Sequence, residues 1–269
     1  MNAPNEIAAN YVGIGKKKTE MAAAKLFLLG ILAGMFIAFA AVGANTASSV
    51  IENPGVSKLV GALLFPAGLA MVLIAGSELF TGNNLIIISV LEKQASFVGM
   101  LRNWLFVYLG NFVGALLVAW LVNGGHQLSL FSNALAGTTI NTATAKASLT
   151  FGDAFLRGVM CNFLVCIAVW MSFSSKDIAG KVLALYFPVM LFVLCGFEHS
   201  VANMYYVPAG IFALGNPAYA GAATADIAKL TWGNFFMNNL LPVTLGNIVG
   251  GAGLVGLPYW FLYLKKKKA

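Results

Sequence analysis

Charge is what this sequence has least of. Only 9% of its 269 residues are Asp, Glu, Lys or Arg, against 59% hydrophobic, and the mean hydropathy is +0.84. An ordinary soluble domain carries roughly 25% charged residues. So few charges cannot cover a water-facing surface, which excludes a soluble enzyme, a nucleic-acid-binding domain and a disordered chain together. Histidine is nearly absent too, with two residues, and cysteine has three. That leaves no clustered metal ligands and no nucleophile–base set, so a membrane-embedded enzyme is not expected and no cofactor or metal is implied. Cys161, Cys166 and Cys195 lie in apolar runs with neither zinc nor CxxC spacing. They are expected to be buried small hydrophobes. No cleavable signal peptide is expected, because residues 1–25 are polar and basic without an apolar core or a small-residue cleavage site.

What is present is a series of long uncharged runs. A bilayer core takes about 20 apolar residues per helix. The runs bounded by Lys25 and Asn45, Lys58 and Glu78, Asn103 and Asn123, Arg157 and Lys176, and Lys181 and Glu198, with a last one between Leu230 and Leu264, predict six transmembrane helices. Six spans put both termini on one side. That side carries Lys16, Lys17, Lys18, Lys25, Lys93, Arg102, Lys176, Lys181 and Lys265 to Lys268, whereas the other has Lys58, Lys146, Arg157 and Lys229. This lysine and arginine bias predicts cytoplasmic termini, and the net charge of +7 reads as membrane orientation rather than phosphate binding. Tyr259, Trp260, Phe261 and Tyr263 fit an interfacial anchor, with the basic tail 265–269 contacting lipid headgroups. The expected organisation is a cytoplasmic segment over 1–25, a single transmembrane domain over 26–264 and that short tail.

The chain also repeats itself. Residues 103–121 (NWLFVYLGNFVGALLVAWL) align without gaps on 239–257 (NLLPVTLGNIVGGAGLVGL), with nine of 19 positions identical. Upstream, GSELFTGN at 76–83 aligns on GFEHSVAN at 196–203. Halves of about 26–123 and 151–264 then hold three helices each, and an odd number inserts them in opposite senses, an inverted 3+3 repeat. In both halves a glutamate, Glu78 or Glu198, interrupts apolar sequence and polar or small residues follow. A charge at membrane depth is costly unless paired or solvated, and irregular backbone there must be buried in protein or line a cavity. Helices 2 and 5 are therefore expected to be broken, with Glu78 and Glu198 accepting hydrogen bonds that hold the breaks. Helix N-termini at the breaks favour an anion. The spacings Gly30–Gly34, Gly110–Gly114 and Gly246–Gly250 read as close helix packing. Asn111 and Asn247 read as interhelical hydrogen-bond braces for the neighbouring break.

The motifs SELFTGN, GFEHSVANM and LPVTLGNIVGG resemble the formate/nitrite transporter family, which includes hydrosulfide channels, and the resemblance covers residues 15–265. It implies an aquaporin-like, six-helix protomer with its own pore, a homopentamer in the bacterial inner membrane, and small monovalent anions as substrates. On this likeness His199 is the central histidine, Asn203 the asparagine bonded near it, and Thr81 the threonine of the first break. Lys146 is the vestibule lysine, and Leu79, Phe80 and Phe192 are slit residues. His199 is then expected to hydrogen-bond or protonate the anion, and Lys146 to attract it. An aquaporin-like pore for water or small neutral solutes is the alternative. It is weakened because Asn216-Pro217-Ala218 is the only N-P-A motif. His126, beside Gly124-Gly125, reads as a solvated loop residue.

Overall fold

A computed structural model describes residues 1–265; positions 266–269 of the basic tail lie outside the described residues. The described residues form helices and turns, with no strand among them. In chain order the helices are α1 (Pro4–Glu20), α2 (Ala23–Ser48), α3 (Pro54–Leu64), α4 (Pro66–Ile74), α5 (Ile87–Leu91), α6 (Phe97–Gly124), α7 (Ala134–Ala147), α8 (Phe151–Ser172), α9 (Ile178–Leu194), α10 (Ser200–Ala213), α11 (Pro217–Ala220), α12 (Trp232–Asn234), α13 (Leu241–Ile248) and α14 (Leu257–Tyr263). Two π-helical stretches, Phe235–Leu240 and Val249–Gly256, join the last three into one rod. Five apolar rods are long enough to cross a bilayer: Ala23–Ser48, Pro54–Ile74, Phe97–Gly124, Phe151–Ser172 and Trp232–Tyr263. The sixth expected span, α9, is a 17-residue apolar helix.

The rods pack through glycine. A side chain on Gly30 would meet the Val107 carbonyl of α6 at 2.8 Å, and one on Gly158 would meet the Val243 carbonyl of α13 at the same 2.8 Å. Small residues at these crossings let two backbones approach and substitute van der Waals contact for the hydrophobic drive that lipid does not supply.

Two segments leave helical geometry in the apolar interior. After α4 the chain runs through residues 75–80 before a 3-10 turn over Gly82–Ile86, and after α9 it runs through 195–199 before α10. Gly76 and Gly196 turn the chain out of its helix with φ of +80° and +70°, a left-handed conformation that only glycine adopts without strain. The backbone groups freed in each segment find matched partners. The Glu78 N–H donates to the Leu29 carbonyl and the Glu198 N–H to the Arg157 carbonyl, both at 3.3 Å. Asn111 Oδ1 accepts from the Phe80 N–H and Asn247 Oδ1 from the Ser200 N–H, both at 2.9 Å. The Asn111 amide donates to the carbonyls of Gly30 (2.8 Å) and Glu78 (3.0 Å), and that of Asn247 to Gly158 (2.8 Å) and Glu198 (3.0 Å). One asparagine thus replaces the helix ladder at each site, so backbone buried away from water keeps its bonds.

Two stretches depart from the sequence reading. Residues 4–20, expected as part of a separate basic segment, form a helix that buries Ile7, Ala8 and Tyr11 against the core. Mixed polar and apolar sequence concealed a buried stripe there. The stretch before Lys146, which falls between the two expected halves, is the helix α7 with Leu135, Thr139 and Ile140 buried. Its threonines and alanines carry little apolar signal, yet its backbone is helical. Cys161 and Cys166 are buried, whereas Cys195 is exposed on the single chain. His126 is exposed, as expected, in a left-handed turn with φ +55°.

Candidate functional site

The two interrupted segments meet at His199. This residue caps the N-terminus of α10, its Nδ1 accepting the Ala202 N–H at 3.0 Å. A backbone N–H can only donate, so Nδ1 carries a lone pair and the hydrogen of the neutral ring sits on Nε2. Nε2 lies 2.9 Å from Thr81 Oγ1, across the interface between the two segments. Thr81 is fully buried, and its carbonyl accepts from Asn162 Nδ2 (3.2 Å) and Cys166 Sγ (3.4 Å). The helix cap and the threonine together fix the imidazole's position and tautomer.

A cavity of about 440 Å³ opens from one face and ends at His199. Its wall includes Asn45, Lys58, Lys146, Arg157, Glu198, Asn203 and Tyr206. A second void of about 10 Å³ adjoins His199, lined also by Ile37, Phe65, Leu69, Leu79, Val165, Val189 and Phe192. Such a space scarcely admits one water molecule. Phe192, like Phe65 and His199, lines both spaces. Its ring stacks on the His199 imidazole at 5.8 Å and meets Phe65 edge-on at 5.7 Å. A chamber with a polar wall therefore ends against apolar side chains beside the His199–Thr81 pair.

Each glutamate accepts from a lysine and an asparagine, and a second asparagine braces that pair. Glu198 accepts from Lys146 Nζ through both oxygens at 3.0 Å and from Asn203 at 2.7 Å. Asn203 also donates to Asn239, whose own amide donates to the Lys146 carbonyl. On the opposite side Glu78 binds Lys18 Nζ at 2.6 Å and Asn83 at 2.7 Å. Asn83 donates to Asn103, and Asn103 to the Lys18 carbonyl. In both clusters side-chain donors surround the carboxylate. Three details add to the sequence reading. The Lys146 ammonium is paired with Glu198 and lies 5.2 Å over the Tyr206 ring. The Asn203 amide donates to Glu198 and Asn239. Phe80 packs edge-on against Trp104 (5.9 Å) and Tyr108 (4.9 Å).

Sequence reasoning missed Lys18, Asn83, Asn103, Asn239 and Asn162. Asn103 and Asn239 were detectable, since they are identical at the first position of the aligned repeat. Lys18 was hidden among the basic residues that set orientation. Nothing in the local sequence marks Asn162, which bridges the Thr81 carbonyl, Asn84 and the Asn247 carbonyl from the middle of α8.

The formate/nitrite transporter family matches residues 5–261 of this chain. The chain belongs to the formate/nitrite transporter family. It is 40% identical to a probable formate transporter of Methanothermobacter thermautotrophicus over 98% of both chains. It is 39% identical to the formate channel FocA of Escherichia coli K12 over 90% of this chain and 87% of that one. Among solved structures, a pentameric formate channel with formate bound superposes with a TM-score of 0.79 at 40% identity, covering 90% of this chain and 98% of the other. Another FNT family ion channel gives 0.81 at 30% identity, covering 96% and 98%. The chain is therefore an integral membrane protein of a channel family and not an enzyme, and the likenesses do not favour the water or neutral-solute pore.

Proposed function

We propose that this protein conducts small monovalent anions, formate foremost with nitrite and hydrosulfide as alternatives, each protomer of a homopentamer holding its own pore. The observation that carries it is the chamber of about 440 Å³ that ends at the His199–Thr81 pair against an apolar plug. In this reading helices 2 and 5 of an inverted 3+3, aquaporin-like repeat are broken at residues 75–80 and 195–199. Asn111, Asn247, Glu78 and Glu198 hold the breaks, and Lys146 and Asn203 lie on the pathway. Leu79 and Phe192 form the constriction, with Phe80 backing it. The Lys146 face is external, and the termini lie in the cytoplasm by the lysine and arginine bias.

The chemistry follows from the solvation of charge. A bare anion in an apolar slit is heavily penalised, so it must be hydrogen-bonded or neutralised to pass. The His199 ring carries its hydrogen on Nε2, bonded to Thr81 Oγ1 at 2.9 Å, and an anion takes that donor in exchange for the threonine. With Nδ1 occupied as an acceptor, the neutral ring acts as a hydrogen-bond donor, and a protonation step there requires the cap from Ala202 to be given up. The two modes differ in pH dependence.

The test is formate uptake into proteoliposomes beside osmotic swelling, for the wild type and His199→Phe. Wild-type formate uptake that His199→Phe abolishes or rectifies, in an intact pentamer, is the expected result. Swelling without formate flux would refute the anion reading. Normal flux in His199→Phe with unchanged pH dependence would remove the histidine from the mechanism.

A further inference from the structure

The chamber in front of His199 carries more positive charge than its best-placed lysine accounts for. Its charged wall residues are Lys58, Lys146, Arg157 and Glu198, three cations and one carboxylate, a net of +2 (3 − 1). Lys146 and Glu198 cancel one another at 3.0 Å. The only other ion pair among the described residues, Lys18 with Glu78, lies at the opposite break. The unneutralised charge therefore belongs to Lys58 on α3 and Arg157 on α8. The Arg157 backbone is fixed by the interrupted segment, its carbonyl accepting the Glu198 N–H at 3.3 Å. The same wall holds Asn45, which is 7% exposed and whose buried Nδ2 has no hydrogen-bond partner. A buried amide left unsatisfied is costly, and a ligand in the chamber relieves that cost.

We propose that Lys58, Arg157 and Asn45 form a loading site for a planar, two-oxygen monovalent anion, a small carboxylate or nitrite, ahead of the His199 constriction. This rests on the anion-channel reading above and adds where the anion first binds. Lys146 then serves to hold Glu198 and the second break, and the attraction comes from the two unpaired cations. A guanidinium presents a rigid fork of donors that matches two oxygens of one planar anion, whereas an ammonium offers charge without that geometry. Asn45 supplies the donor opposite. An anion that lacks the two-oxygen edge, such as hydrosulfide, gains from the charge alone.

The experiment measures initial formate uptake against formate concentration in proteoliposomes at low and high ionic strength. It compares wild type, Lys58→Met/Arg157→Met, and the series Arg157→Lys, Arg157→Gln and Arg157→Glu. Pentamer assembly is checked by size exclusion. Two unit charges acting across roughly 8 Å of water predict about a three- to five-fold rise in half-saturation for the double variant at low salt, shrinking as salt screens them. Arg157→Lys should weaken formate more than hydrosulfide, and the order Arg, Lys, Gln, Glu should be one of rising half-saturation. A conducting double variant with wild-type half-saturation and salt dependence overturns the site. Equal effects of Arg157→Lys on both anions overturn its two-oxygen preference. If the double variant does not assemble, the Arg157 series decides, and a flat series is equally fatal. Wild type that conducts no formate would refute the channel reading instead, so the two failures are distinguishable.

Discussion

Replacing Phe192 with Ala should turn the plug into a passage. The ring is 4% exposed and lines both the chamber of about 440 Å³ and the void of about 10 Å³, with Phe65 edge-on at 5.7 Å and His199 stacked at 5.8 Å. Removing it joins the two spaces and brings water to the Leu79 level. The cost to the fold is that of a buried aromatic truncation, about 3–5 kcal/mol in a well-packed core, reduced here to the extent that water fills the new space. The gain is in the barrier, since an anion that keeps part of its hydration avoids part of the desolvation penalty. Each 1.4 kcal/mol or so recovered raises the rate about tenfold. We expect formate flux to rise by at least about tenfold and propionate flux to rise relative to formate. The assay is initial uptake of formate, acetate and propionate into proteoliposomes, normalised to assembled protein. Unchanged size selectivity in a properly assembled variant would show that Phe192 is not the barrier and that the narrow point lies elsewhere.

Further outcomes follow from the same bonds. Lys146→Met should destabilise the protein by about 3–5 kcal/mol, because it leaves the buried Glu198 without its cation, and Lys146→Met/Glu198→Gln should recover most of the lost thermal stability; a double variant as unstable as the single one would contradict this. Asn247→Leu and Asn111→Leu each remove three buried hydrogen bonds to an interrupted segment, so both should lower the melting temperature, by an amount equivalent to about 2–4 kcal/mol, as read by thermal unfolding in detergent. Asp177, at the N-terminus of α9, is held below the ordinary carboxylate range first by the Gly180 N–H and then by Ser175. A depressed value means stabilisation present above the ordinary aspartate range and lost as pH falls through the folded value, so Asp177→Asn should flatten the acid side of the stability–pH curve, checked by melting temperature from pH 3 to pH 6.

The sequence by itself determined much of this protein, because its strongest signals are local or repeated. The run from Lys25 to Asn45 reads as a span simply because an uncharged stretch of that length has one stable place in a bilayer, and α2 occupies it. Glu78 and Glu198 announced themselves by cost, since a lone carboxylate in apolar sequence demands donors. The repeated L-G-N-x-V-G placed Asn111 and Asn247 as braces before any coordinates did. The motif E-H-S-V-A-N likewise marked His199.

Tertiary structure alone decided which distant residues meet. That Thr81 faces His199, that Lys18 rather than some other lysine answers Glu78, and that Asn162 ties both interrupted segments together depend on residues far apart in the chain. Their local sequence is the same whether they touch or not. The two interrupted segments, alike in sequence, also differ in what they present: Leu79 stands in the first where His199 stands in the second. Only their meeting in the fold sets the His199 ring beside apolar side chains. The pairing of Lys146 was decided the same way. Its sequence surroundings are small and polar and say nothing of Glu198, yet that one salt bridge removes its charge from the chamber and leaves Lys58 and Arg157 to set the field there.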